Sequence, residues 1–274
     1  MPKIADFAVW MAAVKAMPAL RKKRPLRLLL DSTIHAHSIT HDEAWIDTGQ
    51  KLWGGVHRVQ TGYIARVPIF SPSNKTRQYR DICHLTVLRG LTQRGLFELF
   101  TSSELMAERT RHPPSLFGTT HYSDFSLLDG LKIESLDGWT FDGLISGEAT
   151  TAELSNIQRN RIASAQDELY TKILKIFGSD KHSQDAWHIR TAQIHDIHIL
   201  LTMDYKLVRM VHTHRDRLSR AGVSVKVLTP AQLGEDLNFG RVPPHLFSYN
   251  DASFPVRADL HMPHERRKKS NSRR

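Results

Sequence analysis

The chain has 274 residues, 40% of them hydrophobic and 24% charged, which supports a buried core and excludes a disordered chain. Its formal charge is +10 and its pI about 9.8, a balance that points to polyanions, with nucleic acid first among them. The single cysteine, Cys83, excludes an internal disulfide and a thiolate zinc site, and fits a reducing compartment.

Residues 7–20 are apolar but too few to span a bilayer. They lack a strong basic run before them, and Arg21, Lys22, Lys23 and Arg24 follow. Ile4, Phe7, Met11 and Val14 fall on one helical face, which predicts a helix packed through that face. With no membrane span and no export signal, cytoplasm is the expected location.

Leu26–Leu30 is an apolar strand that runs into Asp31. Residues 35–80 are punctuated by Gly54, Gly55, Gly62, Pro68 and Pro72 and predict a hairpin-rich insertion. Residues 81–94 place Ile82, Leu85, Leu88 and Leu91 in helical register, with Gly95 as the stop. A second strand is expected at 96–100, and Thr101-Ser102-Ser103 supplies the cap of a helix through Arg109. His112-Pro113-Pro114 stops that helix, and the stretch to Ala149 gives no clear period. Residues 150–177 read as a long helix broken once, and 182–195 as another. A strand at 197–201, a helix at 205–221, a strand at 223–228 and a short helix after Thr229-Pro230 complete the pattern. No internal repeat is present. Strands alternating with helices give an α/β chain with a parallel sheet.

In such sheets ligands sit outside the carboxyl ends of the strands. Asp31 ends the first strand and Asp204 follows the strand at 197–201, so both are expected to point to one crevice if those strands are parallel neighbours. Glu108 and Asp185 lie on helices that can border it. Carboxylates held together repel unless a cation joins them, and an all-oxygen set without thiolate suits Mg²⁺ or Mn²⁺. Taken singly, each acid also has an ordinary structural role: a turn for Asp31, a solvated helix for Glu108, the helix dipole for Asp185, a cap for Asp204.

The run Asp185-Ala186-Trp187-His188-Ile189-Arg190-Thr191-Ala192 resembles the third acidic motif of PIN-domain nucleases. Ile199-Leu200-Leu201-Thr202-Met203-Asp204 is similar to the strand and Thr-x-Asp loop that follow it in that family. Gly222-Val223-Ser224-Val225-Lys226-Val227-Leu228-Thr229-Pro230 is similar to the family's last strand. Leu28-Leu29-Leu30-Asp31-Ser32-Thr33 resembles the opening motif, and the run from Thr101 to Glu108 the second. Glu108 takes the acid position there, and Glu104 is the fallback. The resemblance covers about half of the chain.

It implies a Rossmann-like parallel central sheet flanked by helices, in one PIN-like domain over residues 1–250. A β-hairpin-rich insertion at about 35–80 and a helical insertion at about 110–180 have no counterpart in a minimal domain, and 251–274 is expected to be an irregular, basic, disordered tail. It further implies a metal-dependent endoribonuclease that leaves a 5′-phosphate and a 3′-hydroxyl. Asp31, Glu108, Asp185 and Asp204 would ligate Mg²⁺ or Mn²⁺, with Ser32 and Thr202 orienting the carboxylates. RNA is the implied partner, with an inhibitory or partner protein and a homodimer as further expectations; toxin, RNA-processing and defence roles stay open.

The remaining features carry less. His182 and His188 flank Asp185 and are candidate RNA contacts, as are Arg267 and Lys268 in the tail. Trp45, Trp53 and Tyr63 can stack on bases or fill a hairpin core. The 16 histidines include no His-Glu-x-x-His run, so they are read as structural or surface groups. The alternatives are a PIN-like module that binds RNA or protein without robust catalysis, and a DNA-acting nuclease. An aspartate-nucleophile phosphatase is disfavoured because Thr33 stands where a second Asp is needed. A dinucleotide site is disfavoured because no Gly-x-Gly-x-x-Gly follows the first strand.

Overall fold

Consecutive apolar residues make a strand buried on both faces, and Leu28, Leu29 and Leu30, after the single polar Arg27, are fully buried in this way. The computed structural model describes residues 4–22, 24–71, 73–111, 126–138 and 151–248. In chain order these form α1 (Ile4–Ala13), α2 (Met17–Arg21), β1 (Leu26–Leu30), α3 (Ser32–Ser38), β2 (His41–Trp53), β3 (His57–Pro68), α4 (Arg77–Gln93), β4 (Phe97–Thr101) and α5 (Ser103–Arg111). Then come β5 (Ile133–Ser135), α6 (Thr151–Ser164), α7 (Glu168–Phe177), a 3₁₀ turn at Asp180–His182, α8 (Ser183–Ile194), β6 (Ile199–Leu201), α9 (Tyr205–Thr213), α10 (Arg215–Arg220), β7 (Lys226–Leu228), α11 (Pro230–Leu237) and α12 (His245–Ser248). No helix among the described residues is long and apolar enough to cross a membrane.

Five strands form one sheet in the order β5-β4-β1-β6-β7, and every neighbouring pair is parallel. The chain winds outward from β1 through β4 to β5, then returns to the other side of β1 for β6 and β7. The order therefore reverses between β1 and β6, the place where an open α/β sheet leaves a crevice at its carboxyl edge. The fold is α/β, consistent with a Rossmann-like arrangement. Alternate side chains feed two cores. Leu28, Leu30, Leu99 and Leu201 pack with Val9, Ile82, Leu88 and Leu233 on one face. Leu29, Phe100 and Leu200 pack with Tyr170, Ile173, Trp187 and Leu207 on the other.

Several local expectations hold, with shifts. The helix expected at 150–177 divides where Asp167 caps α7, accepting from Tyr170 N at 2.8 Å. The expected helix at 205–221 divides at His214. Thr229 and Gln232 form a capping box that starts α11 at Pro230. The insertion after Asp31 begins with a helix, α3, and its β part is one long antiparallel hairpin closed at Gly54 and Gly55, both at positive φ. Trp45, Trp53 and Tyr63 lie on its strands, and their side chains are outside the described residues. The expected stop at His112-Pro113-Pro114 and the tail 251–274, with Arg267 and Lys268, are also outside them. The edge strand β5, with only Ile133 apolar, had no legible period.

The N-terminal helix is corrected. Ile4, Phe7, Met11 and Val14 are exposed, and the buried side is Ala5, Val9 and Ala13. The cause is close approach: α1 lies on α4 at Gly90, where an added Cβ would collide with Val9 Cγ1. Only small side chains allow that spacing, so hydrophobicity alone pointed to the wrong face. Gly90→Ala is therefore predicted to destabilise by about 1–3 kcal/mol through overpacking, against a gain of about 1 kcal/mol in helix propensity. Urea unfolding measures it, and Val9→Ala in the same chain should recover most of the loss. A neutral Gly90→Ala would mean that α1 does not dock there.

Candidate functional site

Asp31 is the residue at which β1 turns into α3, and its backbone N–H still belongs to the sheet, donating to Leu201 O at 3.0 Å. Its carboxylate is buried and held by Ser32, Thr33 and Thr202, with the Ser32 hydroxyl a longer contact to Oδ1 at 3.5 Å. Oδ1 accepts from Ser32 N at 2.9 Å; Oδ2 accepts from Thr33 Oγ1 at 2.5 Å and Thr202 Oγ1 at 2.6 Å. Each threonine has one hydroxyl proton, and both protons go to this oxygen. The hydroxyl oxygens then accept from the loop after β6: Thr33 Oγ1 from Met203 N across the gap, and Thr202 Oγ1 from Asp204 N within its own loop, each at 2.9 Å. This network ties the ends of β1 and β6 together. Thr33, a residue of the opening motif for which no orienting role was expected, is one of its members.

Asp204 caps α9, its Oδ1 accepting from Lys206 N at 2.7 Å and Leu207 N at 3.1 Å. Asp185 sits in the first turn of α8, its Oδ2 3.1 Å from His182 Nδ1. Burial pushes the Asp185 carboxyl above its usual range; His182 and His188 oppose this, and the nearby Asp204 carboxylate adds to it. Glu108 reaches the same region from α5. Its Oε2 accepts from Ser32 Oγ at 3.2 Å, and its Oε1 accepts from His188 Nε2 at 3.0 Å and Gln158 Nε2 at 3.3 Å. Ser32 thereby links Asp31 to Glu108.

His188 is buried against Glu108, so it is not placed to touch RNA, and that expectation is corrected. Burial draws the imidazole down, but Glu108, Asp31 and Glu104 outweigh it and raise it to about 9. His188 lies three residues after Asp185 on the same helix, but its partner is Glu108, 80 residues away in the chain. His182 remains partly exposed.

Glu104 faces elsewhere. It is fully buried, and Arg161 NH1 of α6 donates to its Oε1. Arg161 NH2 also bonds Asp137 Oδ2 at 3.2 Å, and Asp137 Oδ1 accepts from Ser103 Oγ at 2.6 Å. Burial pushes the Asp137 carboxyl up, but Ser103 and Arg161 outweigh it and hold it below its usual range. The trio Glu104–Arg161–Asp137 therefore anchors the start of α5. No sequence signal pointed to Arg161 or Asp137.

The donors at the carboxyl edge of β1 and β6 are carboxylates and hydroxyls, hard oxygens that fit Mg²⁺ or Mn²⁺. The raised His188 imidazole reflects the negative charge of Glu108, Asp31 and Glu104 around it, whereas the Asp185 carboxyl is raised chiefly by burial; a cation would favour the charged form of that carboxyl and offset its burial. In their present rotamers the acids do not form a ligand set: no three His, Cys, Asp or Glu groups among the described residues are arranged to hold one ion. Glu108 is engaged by Ser32, His188 and Gln158, and Asp204 Oδ1 by its helix.

Models of protein families, curated proteins and solved structures were compared with the chain, and none matches it.

The two glutamates of α5 are separable by stability. Arg161→Met should cost about 3–5 kcal/mol, because it leaves the buried Glu104 charge unpaired. Adding Glu104→Leu should restore most of that in urea unfolding. Absence of any recovery would show that Arg161 does not act through Glu104.

Proposed function

We propose that this chain is a metal-dependent nuclease of the PIN-like type, acting on RNA. The observation that carries the reading is the placement of Asp31 at the reversal point of the sheet, with Asp204 at the end of the neighbouring strand and Ser32 joining Asp31 to Glu108. The motif order in the sequence supports it, as does the positive charge of the chain.

Asp31, Asp185, Asp204 and Glu108 would hold Mg²⁺ or Mn²⁺. Such an ion, when bound, supplies a Lewis acid for a phosphate oxygen and makes water a better nucleophile near neutral pH. The protein's own share is orientation. Thr33 and Thr202 fix the Asp31 carboxylate from one side, leaving its other lone pairs for the crevice. Ser32 and His188 set the Glu108 carboxylate. The helix cap aligns Asp204 Oδ1, so its Oδ2 is the oxygen left for a ligand. Turning Glu108 toward an ion requires giving up its His188 or Ser32 bond.

That last requirement favours one second reading, a PIN-like module that binds RNA without cleaving it, in which His188 serves as the permanent counter-ion of Glu108.

The test uses labelled single-stranded RNA and, separately, single-stranded DNA, with Mn²⁺, Mg²⁺ or EDTA. Metal-dependent cleavage of RNA is expected, abolished in the Asp31→Asn, Asp204→Asn double variant. Thr33→Val is expected to lower the rate by about 10–100-fold, as loss of a group that orients a ligand does. RNA binding without cleavage under any metal would move the assignment to the binding module, and cleavage of DNA alone would change the substrate.

A further inference from the structure

A second charged feature lies beside the acids and plays no part in the mechanism above. The first turn of α4, the loop before it and the segment around Arg241 enclose a cleft of about 580 Å³. Lys75, Arg77, Arg80 and Arg241 line it, with Asn74 and Thr76 as neutral polar groups, and no carboxylate does. All four cations are exposed, and none forms an ion pair with a described residue. The nearest acid in sequence, Asp81, is buried with both oxygens engaged: Oδ1 by Ala231 N at 2.8 Å and Oδ2 by the Tyr205 hydroxyl at 2.7 Å. The floor adds no negative charge either. Burial pushes the Tyr79 phenol up to about 12 and the Cys83 thiol up to about 11, so both stay neutral.

The cleft is joined to the acid site by one residue. Arg77 lies over the Tyr205 ring, 4.1 Å from its centroid, and Tyr205 directly follows Asp204. A link on the other side runs from α3, whose His37 Nδ1 lies 3.0 Å from Gln78 Nε2. A strand lying in the cleft would thus continue toward Asp31 and Asp204.

We infer that the cleft lined by Lys75, Arg77, Arg80 and Arg241 binds the phosphodiester backbone of a single-stranded RNA and leads that strand to the acids. The role of the strand as substrate rests on the nuclease reading; binding in the cleft does not. Four exposed cations with no carboxylate in the lining suit a polyanion with several phosphates. The lining offers no exposed aromatic platform for base stacking, so binding is to the backbone and independent of sequence.

The test is fluorescence polarisation of a labelled single-stranded RNA on the full chain in EDTA, which separates binding from cleavage. The Lys75→Ala, Arg80→Ala, Arg241→Ala variant is compared with Lys175→Ala, Arg217→Ala, Arg220→Ala, an equal loss of charge on α7 and α10. Three lost phosphate contacts should reduce the slope of log affinity against log salt by about 2, and affinity on the order of 100-fold near 0.1 M salt. The control triple should lose only a few-fold. The cleft side chains are exposed, so an unchanged melting transition is expected and excludes misfolding. Equal losses in both triples, no loss in the cleft triple, or no measurable binding by the unsubstituted chain would each overturn the proposal. So would a labelled poly-glutamate that binds as tightly as RNA and loses affinity in the same way. If the unsubstituted chain binds but never cleaves, the nuclease reading fails alone. If it cleaves RNA while the cleft triple binds and cleaves normally, this inference fails alone.

Discussion

The structure turns on one carboxylate oxygen, Asp31 Oδ2, which takes the hydroxyl protons of both Thr33 and Thr202. Thr33 lies in the first turn of α3, just after β1, and Thr202 just after β6, and their oxygens accept the amides of Met203 and Asp204. The register explains why they meet: Leu30 is opposite Leu201, so Asp31 and Thr202 are the next residues out on adjacent strands. A parallel pair cannot be fixed by a tight hairpin. Here a charged hydrogen-bond network fixes it, at the point where the sheet reverses its winding. Charge-assisted bonds are stronger than neutral ones, which lets a buried carboxylate sit at a strand end without an ion-pair partner of its own.

The same negative charge organises the second layer. Glu104 and Glu108 are one helical turn apart on α5, yet they meet different cations. Arg161 from α6 neutralises the deeper one and, through Asp137 and Ser103, locks the start of the helix. His188 from α8 meets the other. An arginine cannot lose its proton in this setting, whereas an imidazole can. The inner glutamate is thus permanently compensated and the outer one reversibly so, a division suited to a scaffold beneath and an adjustable group above.

Much of this architecture was legible from sequence, and the failures have physical causes. The apolar runs at β1, β4 and β6, the stop at Gly95, the helix ends near 177 and 221, where Gly178 and Gly222 take positive φ, and the Thr229-Pro230 helix start all express local rules, and each appears close to its expected place. The strand β5 and the docking face of α1 did not, because the first is a three-residue edge paired by backbone and the second is chosen by small side chains facing Gly90. In the site, the acids on strand and helix ends could be named from motif order. Their pairings could not: Arg161 lies 57 residues from Glu104, and His188 80 from Glu108, distances over which sequence has no spacing rule.

The surrounding charge raises a constraint that the acids alone cannot meet. A phosphodiester approaching Asp31, Asp185, Asp204 and Glu108 meets like charge, although the chain as a whole is positive. At physiological ionic strength fields fade over roughly 8 Å, so distant lysines and the bulk charge do not cancel a local repulsion. Two local devices could: a divalent cation among the carboxylates, and a group of cations close by. In the proposed reading the cleft at Lys75, Arg77, Arg80 and Arg241 is the second device, joined to the loop of Asp204 by Tyr205, which stacks under Arg77 while its hydroxyl is held by Asp81. Asp81 in turn caps the amide of Ala231 at the start of α11. One buried acid on α4 thus connects the basic cleft, the loop that carries Asp204 and the last helix of the sheet. The opposite charges at this edge of the molecule are held in register by the fold itself.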